Sequence, residues 1–151
     1  MKILVTGREG QVAQSLAERN AARDNPHEVL FAARPELDLA DPASIARAID
    51  AAQPDLVISA AAYTAVDNAE DEPELAMAIN GEAPGIIGMA AASAGAPVLH
   101  LSTDYVFDGS GERAWREDDP TGPIGVYGKT KLAGEEALGT SGATYAILRT
   151  A

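Results

Sequence analysis

Lys2-Ile3-Leu4-Val5-Thr6-Gly7-Arg8-Glu9-Gly10-Gln11-Val12-Ala13 is the stretch on which the fold turns. Ile3-Leu4-Val5 is a short aliphatic, β-branched run that stops at Gly7 and reads as a buried strand. Gln11 to Ala22 then reads as a helix with Val12, Ala13 and Leu16 on one face. The connection is G-x-x-G-x-x-A. Gly7 permits the tight turn, Gly10 lets backbone approach a pyrophosphate, and Ala13 keeps the helix close to the sheet. Free N–H groups and the dipole at the helix N-terminus favour an anion, and Arg8 adds charge. Glycines alone also suit an ordinary strand-to-helix turn. Their place directly after a first strand favours the dinucleotide reading. No Gly-Lys-Ser/Thr follows, which disfavours a P-loop.

Outward from that loop, strands and helices alternate. Glu28 to Ala32 reads as a second strand. Asp41 is a helix N-cap with Pro42 in the first turn, and Ile45, Ala48 and Ile49 form an apolar stripe. Asp55 to Ser59 is a third strand. Glu72 or Pro73 opens a long alanine-rich helix to about Ala94, ended by Gly95. Pro97 to Ser102 is a fourth strand, residues 103–123 are loop, Ile124 to about Leu138 is a helix, and Thr144 to Arg149 is a last strand. This order predicts an α/β fold: a Rossmann-like doubly wound parallel sheet in three αβα layers, with right-handed crossovers. A buried strand at the very end suggests a piece of a longer protein. The alternative is a complete small α/β domain.

Bulk properties narrow the function. The chain has 151 residues, 46% hydrophobic and 23% charged, which suits one globular domain. A formal net charge of −12 repels nucleic acid and anionic membrane, so neither is expected as a partner. With no cysteine there is no disulfide scaffold, thiolate metal site or cysteine nucleophile. No signal peptide is read at the N-terminus, and no stretch approaches the roughly 20 apolar residues of a membrane span. The cytoplasm is the default expectation.

Two further clusters carry chemistry. Tyr127-Gly128-Lys129-Thr130-Lys131 places Tyr127 and Lys131 at i and i+4 on one helical face. An ammonium beside a phenol is expected to lower its pKa, so that Tyr127 can protonate the alkoxide formed as hydride reaches a ketone. Lys131 would also hold the nicotinamide ribose. Such a pair alone equally describes an exposed helix surface. Its context is Leu101-Ser102-Thr103-Asp104-Tyr105 at the end of the fourth strand, where ligands of these folds bind. A hydroxyl from Ser102 or Thr103 there can hydrogen-bond a substrate carbonyl; a plain strand-end turn is the other reading. Ala32-Ala33-Arg34 stands where NAD-selective domains carry an acidic residue. Arg34 can meet a 2′-phosphate, which leans towards NADPH over NADH, or lie solvated. Asp38 and Leu39 can reach the adenine end. His27 and His100 are isolated and read as structural. No metal-ligand spacing appears, and Glu70-Asp71-Glu72 reads as a solvated helix start.

Together these residues resemble the extended short-chain dehydrogenase/reductases and, within them, the dTDP-4-dehydrorhamnose reductases. The likeness is carried by Gly7-x-x-Gly10-Gln11-Val12, by Ala60-Ala61-Ala62-Tyr63-Thr64-Ala65-Val66-Asp67, by Ser102-Thr103-Asp104-Tyr105-Val106-Phe107-Asp108-Gly109, and by Val126-Tyr127-Gly128-Lys129-Thr130-Lys131-Leu132-Ala133-Gly134-Glu135. It spans nearly the whole chain. It implies an oxidoreductase of dTDP-rhamnose and carbohydrate biosynthesis that reduces the C4 ketone of a dTDP-sugar. The implied catalytic residues are Tyr127 as proton donor, Lys131 as its partner and Thr103 as the carbonyl-binding hydroxyl. The implied substrate contacts are Thr103 and Asp104. The cofactor, NADPH or NADH, would lie against Gly7, Gly10, Gln11, Val12, Arg34, Asp38, Leu39, Ala62, Tyr63, Thr64, Ser102, Tyr127 and Lys131. Asn80 matches a helix asparagine that is structural or part of a proton relay.

Ala13 replaces the usual third glycine, and Ser59 replaces a common Asn. Ser15 stands where some members carry a Glu that binds Mg²⁺ at a dimer interface, which argues against that metal here while leaving a homodimer of the full-length protein open. Residues 1–151 are thus expected to be the NAD(P)-binding Rossmann domain, with a C-terminal substrate domain of about 100–150 residues outside the chain and little activity without it. An epimerase or dehydratase of the same superfamily, and a non-catalytic regulatory subunit, are the competing readings.

Overall fold

β1 (Lys2–Thr6) lies at the middle of the molecule, paired with β2 (Glu28–Ala32) on one side and β3 (Leu56–Ser59) on the other. In the computed structural model, which describes residues 1–151, β4 (Val98–Thr103) and β5 (Tyr145–Thr150) complete a parallel sheet of order β2-β1-β3-β4-β5. The chain winds outward from β1 to β2, then crosses back past β1 to β3. The carboxyl ends of β1 and β3 therefore form a switch point, where such sheets open a crevice.

Alternation along the strands assigns their two faces. Leu4, Val57 and Val98 point into a core shared with Ile45 and Ile49 of α2 (Pro42–Ala52), Ile87 of α5 (Ala83–Ser93) and Leu138 of α6 (Val126–Gly139). Ile3, Val5 and Ile58 point the other way, onto Ala13 and Leu16 of α1 (Gln11–Ala21). The three expected layers are present, with three helices on one face and α1 on the other. Ala13 is 3% exposed, so the small residue does hold α1 close to the sheet. Val12, expected on the same face, is 41% exposed: a helix advances about 100° per residue, and the close approach at Ala13 turns it to solvent.

Asp41 caps α2 as expected, accepting from the Ala43 N–H at 3.0 Å. The alanine-rich helix departs from a simple reading. It runs from α4 (Pro73–Ala76) through a π-helical turn, Met77–Glu82, into α5. This 21-residue stretch has a mean hydropathy of 1.2, long and apolar enough to span a bilayer by composition, contrary to the expectation that no segment would be. Half of it is buried here, packed as a core helix against α2 and α6. Two short elements escaped the sequence: α3 (Val66–Asp71) and a 3₁₀ turn, Asp104–Val106. Neither is long enough to show apolar periodicity. Ile124 is 75% exposed and precedes α6 rather than opening it.

Candidate active site

The turn after β1 is built as its glycines suggest. Gly7 has φ +93°, a left-handed conformation that side chains rarely adopt, and a Cβ there would stand 3.3 Å from Ala61 Cβ. Thr6 fastens the two strand ends, its hydroxyl oxygen accepting from the Ala60 and Ala61 N–H groups at 3.0 Å each. Gly10 is the N-cap of α1; no side chain caps that helix, and its first turn holds no acid. The free N–H groups there are open to an anion. Beside the turn runs a groove of about 380 Å³ lined by Gly7, Arg34, Asp38, Leu39, Ala62 and Tyr63 among others. Six of the expected cofactor residues thus share one concave surface at the switch point. Thr64 follows on the exposed loop, and Gln11 and Val12 open onto a separate shallow hollow with Ser15. Arg34 is exposed at the groove's edge, while Arg8 reaches over the end of β2 to the Phe31 carbonyl at 3.3 Å.

The wall of this groove is held by a residue on the π turn. Asn80 is 1% exposed; its carboxamide oxygen accepts from the Tyr63 N–H at 2.9 Å and its amide donates to the Tyr63 carbonyl at 3.0 Å. The extra residue of the π turn puts this side chain where it can clamp the loop after β3. The Tyr63 hydroxyl donates to Glu72.

Tyr127 opens α6 over a second cleft of about 340 Å³, which Asp104, Tyr105, Trp115 and Ile124 also line. Its ring meets Tyr105 edge-on, with centroids 5.4 Å apart. Gly128 is obligatory at this contact, because a Cβ would overlap the Tyr105 carbonyl oxygen. Thr103 ends β4 beside the phenol, 6% exposed, and its hydroxyl accepts from the Tyr105 N–H at 3.2 Å. Trp115 stacks on Phe107 at 4.7 Å, and Arg113 pairs with Asp119 at 2.6 Å, so the long loop has a built shape.

Two expectations need correction. Burial pushes the Tyr127 phenol above its usual pKa, the Thr103 hydroxyl opposes, and the neighbouring Tyr105 and Asp104 act with burial; the expected lowering by Lys131 is not seen. The reason is geometric. Lys131 is 3% exposed and donates to the Leu101 carbonyl at 2.6 Å, with no hydrogen bond to the Tyr127 hydroxyl. Burial lowers the Lys131 pKa to about 8, against the raising effect of Glu135. Ser102 does not face the cofactor groove either: its hydroxyl is buried and donates to Glu135 at 2.5 Å. Glu70 is exposed, as read, and it also accepts from the Val126 N–H at 2.7 Å, capping α6 from a distant helix.

Other contributors gave no sequence signal. His100 is 1% exposed; its Nδ1 lies 3.0 Å from the Ser59 hydroxyl and its Nε2 has no partner. Burial, with the Lys131 charge, lowers its pKa to about 3. The Ser59 departure is thereby explained as a partner for His100.

The family described as RmlD substrate binding domain matches residues 1–151. The chain belongs to the RmlD family. Its relatives include dTDP-4-dehydrorhamnose reductases of Sinorhizobium fredii, 48% identical over 150 residues, and Escherichia coli, 43% identical over 155 residues; each match covers 99% of this chain and 50% of the relative. The RmlD-family chain thus spans about half the length of the curated relatives it matches. A dTDP-4-dehydrorhamnose reductase structure from Clostridium acetobutylicum aligns at TM-score 0.94 and 37% identity, covering all of this chain and 53% of that one. One from Bacillus anthracis, in complex with NADP, aligns at 0.91 and 30% identity, covering 98% of this chain and 52% of that one.

Proposed function

We propose that residues 1–151 are the cofactor-binding portion of an NADPH- or NADH-dependent reductase in the cytoplasm. It reduces the C4 ketone of dTDP-4-dehydro-L-rhamnose (dTDP-6-deoxy-L-lyxo-4-hexulose) to dTDP-L-rhamnose. The observation that carries the reading is Tyr127 on a cleft at the carboxyl end of the sheet, with the buried Thr103 hydroxyl beside its phenol and the glycine-turn groove at the same end. The family match and the relatives named as dTDP-4-dehydrorhamnose reductases, one solved with NADP, support the same reaction.

The groove fits a dinucleotide: uncapped N–H groups of α1 for the pyrophosphate, and Arg34 at the far edge for a 2′-phosphate. The bound nicotinamide supplies the hydride. Thr103 orients the ketone oxygen by donating a hydrogen bond, and Asp104 borders the same cleft. Tyr127 gives its phenolic proton to that oxygen as negative charge develops. The phenol, its pKa raised by burial, holds its proton at neutral pH until negative charge develops on the ketone oxygen. Lys131 sets the local potential from beneath and, once the site is filled, is available to the ribose hydroxyls.

The complete protein, supplied with the 4-keto sugar and NADPH, is expected to consume the nicotinamide absorbance. Tyr127→Phe is expected to lower kcat by about 100-fold or more. No loss of absorbance would exclude the reductase, and near-normal turnover by Tyr127→Phe would exclude Tyr127 as the acid.

A further inference from the structure

Tyr127, Lys131 and Glu135 stand at i, i+4 and i+8 on α6, one stripe facing β4. Glu135 is 7% exposed, and every polar neighbour it has is strong. It accepts from the Ser102 hydroxyl at 2.5 Å and takes a two-pronged grip from Arg149, Nη2 to Oε2 at 2.7 Å and Nε to Oε1 at 3.0 Å. Arg149 lies over the Phe107 ring at 5.1 Å and donates to the Glu117 carbonyl at 3.2 Å. One carboxylate thus ties α6 to β4, to β5 and to the loop that walls the Tyr127 cleft. The residue it binds on β4 is the neighbour of Thr103.

We propose that Glu135 is a positioning residue: it fixes the Tyr127/Lys131 stripe against the end of β4, and its negative charge keeps the buried Lys131 amine protonated. The second half rests on the reading that Lys131 works as a cation. The groups around Lys131 bear this out. From β4 it faces His100, which burial keeps neutral, and the Leu101 carbonyl. From its own helix the charged neighbour is Glu135, one turn on. From β5 comes Arg149, paired to that same Glu135 carboxylate. The Arg149 side chain is 24% exposed against 6% for Glu135, so water screens the guanidinium more than the carboxylate. Burial dominates and lowers the Lys131 pKa to about 8, and the Glu135 charge opposes that lowering.

The chain has three lysines, Lys2, Lys129 and Lys131, so ¹³Cε-lysine labelling gives a resolvable NMR titration without substrate or cofactor. In the unaltered chain the Lys131 midpoint is expected near 8. Glu135→Gln, which preserves the side-chain shape, is expected to lower it by a further unit or so. Glu135→Asp keeps a charge for Arg149 and withdraws it by one methylene; it is expected to lower the midpoint by a smaller step. Amide-proton dispersion reports folding for each variant. An unmoved Lys131 midpoint in either folded variant overturns the proposal. A shifted midpoint together with full turnover by Lys131→Met in the complete protein would instead remove the reductase role of Lys131 and leave the electrostatic assignment standing.

Discussion

His100 shows how much one buried side chain can ask of a fold. Its imidazole is neutral in the folded protein, with a pKa of about 3 against 6.5 for a free histidine. The unfolded chain therefore takes up the proton first. Stability from this residue is intact above about pH 6.5 and is lost as pH falls towards 3, by at most about 1.4 kcal/mol per pH unit. Urea unfolding between pH 7 and pH 4.5 is expected to fall more steeply in the unaltered chain than in His100→Gln, whose amide does not titrate. Equal slopes would mean that His100 takes its proton without cost. At this scale the sequence was a mixed guide. Tyr127 and Lys131 fall on one face of α6 and Thr103 ends β4, because helical spacing and a strand end fix positions locally. The burial of Ser102 and the roles of Glu70 and Ser59 depend on partners 33 to 56 residues away, and the direction of the Tyr127 pKa depends on its burial, none of which a local pattern encodes.

The seam between the π turn, α5 and α6 is closed by small residues, and they make α6 exact in its placement. A Cβ on Gly134 would overlap the Asn80 carbonyl oxygen, and one on Gly85 would stand 2.9 Å from Ala137 Cβ. Gly134→Ala is therefore expected to cost about 1–3 kcal/mol, and to lower Tm by about 2–4 °C for each kcal/mol. Gly10 offers the contrast. A Cβ there meets nothing within 4 Å and its φ is −70°, so Gly10→Ala is expected to leave stability within about 0.5 kcal/mol while weakening NADPH binding in calorimetric titration. Equal destabilisation by the two substitutions would refute the close-packed seam; unweakened binding by Gly10→Ala would remove Gly10 from the cofactor cradle. The long elements were legible because amphipathic stripes, Asp41 as cap and Gly95 as stop are local signals. The π turn was not: its single extra residue leaves composition unchanged and serves a contact between Asn80 and Tyr63.

Over the whole molecule, the three helices of one face and the lone helix of the other leave the two clefts at one end of the sheet, the glycine-turn groove and the Tyr127 cleft. The chain covers half the length of its relatives, and the Tyr127 cleft is lined here by the 3₁₀ turn, the loop after it, α3 and the start of α6. Residues 1–151 alone are expected to bind NADPH weakly and to turn over the 4-keto sugar little or not at all, read by nicotinamide absorbance. Robust turnover would show that the catalytic and sugar-binding groups are complete within this stretch. By itself the sequence determined the alternating β/α order, the parallel sheet, the glycine turn and the Tyr127/Lys131 stripe, because each follows from periodicity or spacing within a few residues. Tertiary structure alone decided what those groups are bonded to: Lys131 to a β4 carbonyl, Ser102 and Arg149 to Glu135, Asn80 to Tyr63. Those pairings follow from which strands lie side by side and how closely α6 sits on them, and only the folded sheet sets that distance.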